Sequence, residues 1–190
     1  EFDAFRRAHP RHSAAPEALY LEVRSMQALN RTEEAFRLTE VLQRQYPGHP
    51  KAGTLLLAIS EEAIARGDRE TARTYLTRLK DSDNPDVAVP ATAMLAQQAH
   101  RDGDTRDALQ YYIEIVQSYP ERDEAPESAF RAGQLYLTQD RHESAVRALR
   151  TVLERYPDSP YADQAREPLA QAYAELDQPE NAISVLEGYP

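Results

Sequence analysis

Apolar residues recur along the chain at intervals of three and four. Ala35, Phe36, Leu38, Val41 and Leu42 form one such set, and Ala145, Val146, Leu149, Val152 and Leu153 another. This spacing puts the apolar side chains on one face of a helix, whereas a half-buried strand would alternate them at every second residue. Each set opens at a residue suited to a helix N-terminus, namely Thr32, Asp68, Thr105 or Pro179. Several sets close at a tyrosine followed by proline: Tyr46-Pro47, Tyr119-Pro120 and Tyr156-Pro157. Proline holds the preceding residue out of helical geometry and lacks the N–H that the next helical bond would use.

The punctuation keeps time. Ala35, Ala72, Ala108, Ala145 and Ala182 are spaced by 37, 36, 37 and 37 residues, and Pro10, Pro47, Pro120 and Pro157 keep the same period. Five residues before each marker alanine stands Asn30, Gly67, Gly103, Asp140 or Asp177. All are types that tolerate a left-handed backbone, so each is expected to end a helix. Prolines 16, 50, 85, 126 and 160 then stand near the starts of the following helices. One repeat is therefore helix, tight turn, helix, loop. The repeats are expected at residues 11–47, 48–84, 85–120, 121–157 and 158–190, as one array, with 1–10 read as the second helix of an earlier repeat carrying Phe2 and Phe5. The chain reads as an excerpt of a longer array.

Within a repeat the pattern resembles the tetratricopeptide repeat over essentially the whole chain. That family places a small residue in the middle of the first helix, an aromatic three residues on, an alanine early in the second helix, a bulky residue four further on, and a closing proline. Gly133, Tyr136, Ala145, Leu149 and Pro157 fit it best; Ala170, Tyr173, Ala182 and Leu186 follow, then Ala96, Ala108, Tyr112 and Pro120. Ser60, Ala63, Ala72 and Leu76, and Val23, Met26, Ala35 and Thr39, match less closely, and the family's tryptophan is absent because the chain has none. The resemblance implies an all-α, right-handed α-solenoid of about five helix-turn-helix units plus a leading half-unit. The period of 37 exceeds the usual 34 or so of this repeat, and the extra residues are expected to lengthen each first helix by about a turn. Pro90 is expected in the first turn of its helix, and Pro168 is expected to kink its own.

Composition agrees with helix: 29 of the 190 residues are Ala and only 6 are Gly. The net charge of −10 disfavours nucleic acid as a partner. With no Cys, disulfides, thiolate metal sites and cysteine nucleophiles are excluded. No run of apolar residues is long enough to cross a membrane as a helix, so direct membrane insertion is not expected. The chain has no Gly-rich phosphate loop, no Gly-x-Ser-x-Gly elbow and no His-Glu-x-x-His helix. His9 and His12 share a loop with Pro10, an unpromising metal pair. No enzymatic activity, cofactor or metal is expected.

In stacked helix pairs the first helices line a concave groove, and their non-core positions meet a ligand. The positions expected to bind a protein or peptide partner are Tyr20, Arg24, Gln27, Leu57, Glu61, Gln97, Phe130, Gln134, Leu137 and Gln171, with Tyr20, Leu57, Phe130 and Leu137 as exposed apolar anchors among polar neighbours. Family members that clamp a chaperone's C-terminal carboxylate use Lys, Asn and Arg at fixed first-helix positions. Here Tyr20, Arg24, Leu57 or Ala58, Pro90 and Met94 stand there, which argues against that class. The segment from Arg155 to Ala162 resembles the inter-repeat loop of bacterial envelope tetratricopeptide proteins, such as outer-membrane assembly lipoproteins and Tol-Pal-associated periplasmic proteins. That resemblance implies a scaffold in envelope assembly or secretion, periplasmic or envelope-associated, with a structural spacer or a regulatory module of a larger machine or enzyme as the alternatives, and a cytoplasmic location also open.

Overall fold

Four residues take up left-handed backbone at the expected beat: Gly67 and Gly103 at φ 82°, Asp140 at 56° and Asp177 at 57°. In the computed structural model, which describes residues 2–9, 11–29, 31–46, 49 and 51–187, each of them closes a helix in the same way. The residue after the turn sends its backbone N–H five positions back, from Asp68 to Ala63, Asp104 to Ala99, Arg141 to Tyr136 and Gln178 to Tyr173, each at 2.9 Å. Arg31 does the same to Met26, while Asn30 lies outside the described residues. These bonds satisfy carbonyls that a helix end otherwise leaves open.

The described residues form eleven helices and no strand. They are α1 (Phe2–Ala8), α2 (Ala15–Ala28), α3 (Thr32–Gln45), α4 (Ala52–Ala65), α5 (Arg69–Lys80), α6 (Pro85–Asp102), α7 (Thr105–Ser118), α8 (Glu124–Leu137), α9 (His142–Arg155), α10 (Tyr161–Glu175) and α11 (Pro179–Glu187). Even-numbered helices are the first helices of the repeats, and odd-numbered ones the second. Two compact units divide the chain, Glu1–Val87 and Ala88–Pro190.

Tyr46, Tyr119 and Tyr156 leave their helices at φ −136°, −136° and −129°. Their carbonyls accept from the N–H groups of His49, Arg122 and Ser159, whose own carbonyls accept from Ala52, Ala125 and Ala162. The extra residues of the 37-residue period are consumed in this double turn. The expected lengthening of the first helices is therefore corrected: α2, α4 and α8 hold 14 residues and α10 holds 15, and only α6 reaches 18. Pro90, expected in a first turn, is the sixth residue of α6, and Pro168 is the eighth of α10; both helices run through them.

In the N-terminal unit the core joins Leu19 and Val23 of α2 to Ala35 and Leu42 of α3 and Ala52 and Leu55 of α4. In the C-terminal unit Ala96, Ala108 and Tyr112 pack with Ala132 and Leu135, and Ala129, Phe130, Ala145, Leu149 and Val152 pack with Ala165, Leu169 and Ala172. The marker alanines 35, 72, 108 and 145 are wholly buried. A small residue there lets two helices close to about 8–10 Å, and each Leu or Val beside it contributes roughly 1.5–3 kcal/mol by leaving water.

Candidate functional site

Burial leaves each first helix of the C-terminal unit one line that carries a glutamine, polar throughout on α8 and mixed with apolar residues on α6 and α10. On α8 the buried face takes Ala125, Ser128, Ala129, Phe130, Ala132, Gly133 and Leu135. Among the residues left out of that face, Glu127, Arg131, Gln134 and the C-cap Thr138 are spaced by four, three and four residues, which is one line along a helix. At the corresponding register α6 carries Pro90, Met94, Gln97 and Arg101, and α10 carries Gln164, Pro168, Gln171 and Glu175, with Glu167 exposed beside them on α10. Gln97 and Gln171 are exposed, and Gln134 is half-buried.

A polar cluster sits on the α8 line. Arg131 donates from Nε to Glu127 Oε1 and from Nη1 to Gln134 Oε1, both at 3.3 Å, with its guanidinium carbon 5.9 Å from the Phe130 ring centre. Two tyrosines flank it. Burial pushes the Tyr112 phenol up to about 12, with Arg131 opposing and Glu127 adding to the shift. Tyr161 is raised as well, first by burial and then by the Glu127 carboxylate. Neither phenol ionises in any ordinary buffer, so both serve as neutral hydrogen-bonding and packing groups.

Phe130, expected as an exposed anchor, is 5% exposed, with its ring centre 5.6 Å from that of Tyr161 at the start of α10. The expectation is corrected: the side chain bridges α8 and α10. Leu57 is likewise buried, at 9%, because Leu55, Leu56 and Ile59 are also drawn in and leave α4 little free apolar surface. Leu137 is half-buried against the cluster around Leu149.

In the N-terminal unit Arg24 and Glu61 are exposed at the register position that holds glutamine in α6, α8 and α10, and Gln27 is half-buried. Tyr20 is half-buried, stacked on His49 with ring centres 6.0 Å apart, and Lys51 Nζ lies 4.5 Å over the Tyr20 ring. Glu17 joins the group, with Oε2 3.3 Å from His49 Nε2 and Oε1 3.4 Å from Lys51 Nζ. His49 Nδ1 accepts from the backbone N–H of Lys51 at 3.3 Å, and His12, one repeat earlier, accepts from Ala14 at 3.1 Å. These histidines cap the turn before a first helix. No group of His, Asp and Glu among the described residues has the arrangement to hold a metal.

Two family profiles, each described as tetratricopeptide repeat, match the sequence, over residues 17–49 and residues 99–167. The chain carries tetratricopeptide repeats. Solved structures share the fold. MamA superposes with a TM-score of 0.65 at 12% identity, over 93% of this chain and 90% of its own. YrrB gives 0.62 at 17%, over 98% and 91%. A tetratricopeptide repeat protein from Parabacteroides merdae gives 0.59 at 16%, over 90% and 77%. Identities this low establish a common fold and nothing finer. No curated protein sequence matches the chain significantly.

Within the tetratricopeptide framework the groups that sequence reading passed over are His49, Lys51, Arg131 and Tyr161. Arg131 carried a signal, since it stands one turn before Gln134 and one turn after Glu127 on the same helix. His49 and Lys51 carried none, because their contacts to Glu17 and Tyr20 join residues about thirty apart in sequence through the double turn. A recess of about 190 Å³ opens on the other side of α8, between α7 and α9, with Ala129, Ala132 and Ala148 on its floor and Tyr136 and Arg147 at its rim. Its apolar floor and single charged group offer a packing surface and no acid-base pair.

Proposed function

We propose that the protein is an interaction scaffold that holds a peptide or an extended segment of a partner protein across the glutamine-bearing lines of its first helices. The observation that carries this reading is the shared register of three amides in the C-terminal unit, Gln97, Gln134 and Gln171, with half-buried Met94 and Pro168 one turn before the first and last and half-buried Leu137 one turn after the second. Amides satisfy the polar backbone of a ligand, while the apolar neighbours supply desolvated contact. The likeness to YrrB, a tetratricopeptide protein with an unusual peptide-binding site, supports a peptide ligand. We further place the scaffold in bacterial envelope assembly or secretion, in the periplasm or at the envelope. That placement rests on the resemblance of the Arg155–Ala162 loop to those of envelope tetratricopeptide proteins. No described helix is long and apolar enough to cross a membrane.

The test is site-specific photo-crosslinking in the source cell, with the reactive group at position 97 or 171 and, for comparison, at Arg150 on α9. One partner captured from both glutamine positions and not from position 150 supports the reading, and its fractionation with the envelope supports the compartment. Equal capture from all three positions would end it.

A further inference from the structure

The recess between α7 and α9 opens where one repeat departs from its neighbours. Its floor is Ala129, Ala132 and Ala148. One repeat earlier the same register positions hold Thr92, Leu95 and Tyr111, and one repeat later Arg166, Leu169 and Val185. In the last repeat Arg166 reaches across from α10 to α11, donating from Nη1 to the Val185 carbonyl at 3.4 Å. Here all three side chains are cut back to a methyl group, and about 190 Å³ is left open, walled by Ile113 and Val116. Atoms that line such a space lack partners on one side, so an apolar group that enters it gains dispersion contacts.

Size decides what can enter. A core cavity of about 150 Å³ takes up a benzene ring, whereas sites for small molecules run to about 300–1,000 Å³. The recess therefore suits one ring-bearing side chain of a partner whose backbone stays outside. Charge decides what accompanies that side chain. A second recess continues the first between α7 and α9, sharing Ile113 and Tyr136 with it, and carries Arg106 and Arg141. Arginines are the only charged residues that line either recess, in a chain of net charge −10; Asp104, Asp107, Asp140 and Glu143 stand in the adjoining turns and line neither. Arg106, Arg141 and Arg147 take part in no ion pair among the described residues. Arg147 gives one donor to Ser144 Oγ at 2.9 Å, and Arg141 lies 4.6 Å over the Tyr136 ring centre, which leaves guanidinium donors for a ligand. Arg106 is in the first turn of α7 and Arg141 is the N-cap of α9, where the helix dipoles also favour an anion.

We propose that this trench, on the other side of α8 from the glutamine line, binds an acidic segment of a partner protein, which inserts one phenylalanine between α7 and α9 and sets carboxylates against Arg106, Arg141 and Arg147. It is a second binding face, independent of the glutamine positions. The test is an NMR titration of the protein labelled at its alanine methyl groups. The probe is a capped peptide, Gly-Asp-Asp-Phe-Asp-Asp-Gly, whose carboxylates on both sides of the ring leave the separation of ring and charge unconstrained. The methyl signals of Ala129, Ala132 and Ala148 should move. Alanine in place of the peptide's phenylalanine should weaken binding at least about tenfold, as for one buried ring. Asparagine in place of its aspartates should weaken it roughly fivefold or more at low salt. Arg147→Gln, at an exposed side chain, should cost about two- to fivefold. Ala148→Val, which installs the residue α11 carries at this register, should abolish the shifts at Ala129 and Ala132, with circular dichroism confirming that both variants fold. No methyl shift at millimolar peptide, equal binding of the alanine peptide, indifference to both the asparagine peptide and Arg147→Gln, or undiminished binding by a folded Ala148→Val variant overturns the proposal. The peptide comparisons decide the matter on the parent protein alone. Shifts confined to Gln97 and Gln171 would also overturn it while leaving the scaffold reading standing, and the crosslinking experiment tests that reading separately.

Discussion

Gly133 on α8 lies directly against Leu149 on α9: a Cβ added to the glycine would stand 2.5 Å from Leu149 Cγ and 2.6 Å from its Cδ2. The branch point of a wholly buried leucine cannot swing aside, so the space belongs to the leucine. Replacing glycine by alanine inside a helix ordinarily gains about 1 kcal/mol. Here the clash should outweigh that gain, and Gly133→Ala should cost roughly 1–3 kcal/mol. Ala145→Leu overpacks the same crossing and should cost a similar amount, about 1–3 kcal/mol, whereas Arg150→Ala on the exposed side of α9 should stay within about 0.5 kcal/mol. Denaturant melts compare the three, and equal, negligible effects would show that the repeat register is misassigned.

The turn glycines make a contrasting case. A Cβ at Gly67 or Gly103 would meet nothing within 4 Å, so any penalty arises from φ 82° alone. Gly67→Ala and Gly103→Ala should each cost about 1–2 kcal/mol, with Gly103→Asn recovering part of it because asparagine tolerates this backbone. Thermal melts of the three variants are the check. Alanine and asparagine behaving alike would show that the turn relaxes out of the left-handed region.

These positions were legible because backbone constraints act locally. A left-handed turn, a tyrosine held extended by the next proline, and an alanine at a helix crossing each leave a mark on residue type at one place in the chain. The burial of Phe130 was not legible, since it depends on Tyr161, thirty-one residues on, crossing over it from another repeat. Leu57 was missed for a related reason: α4 is apolar around most of its circumference, so its pattern does not say which leucine faces out. The destination of the three extra residues was hidden as well. Helix extension and double turn suit the same loop composition, and only the paired bonds through His49, Arg122 and Ser159 distinguish them.

Phe130 therefore belongs first to stability. Its truncation to alanine empties a site between α8 and α10, and Phe130→Ala should lose about 3–5 kcal/mol. Tyr20→Ala, at a half-buried ring held by His49 and Lys51, should lose less. Urea unfolding of the two variants is the measurement. A Phe130→Ala variant as stable as the parent would return this ring to the binding surface.

Alkaline pH should weaken the fold through its buried phenols. Burial, with the hydrogen bond Tyr75 donates to Glu40 at 3.1 Å, pushes Tyr75 up to about 12, and Tyr112 also stands at about 12. An unfolded tyrosine releases its proton near pH 10 or so. Between about 10 and about 12 the unfolded chain thus binds fewer protons than the native one, and stability falls as pH rises through that window. Tyr75→Phe should be less stable at neutral pH, having lost a bond to Glu40, and should show a shallower alkaline decline. Chemical denaturation at several pH values, with ultraviolet titration of tyrosinate in the native state, tests both. A native titration complete near pH 10 would contradict the burial of these groups.

The last helix should open well before α9. α11 contains no buried residue, and Ile183 and Leu186 are 53% and 50% exposed. Leu186 shares its register position with Leu149, which is fully buried under α10. What holds α11 is its packing against α10, the contact of Val185 with the core around Leu149, and a 3.4 Å bond from Arg166 Nη1 to the Val185 carbonyl. Few buried apolar contacts mean a low free energy of local opening. In native-state hydrogen exchange the α11 amides should lose protection well before those of α9. Leu186→Ala should change global stability by less than about 0.5 kcal/mol, while Leu149→Ala should cost about 2–5 kcal/mol. Protection of α11 equal to that of α9 would mean that the face carrying Ile183 and Leu186 is covered in solution, and dilution would then reveal whether a second copy covers it, because only protection supplied by association fades with concentration.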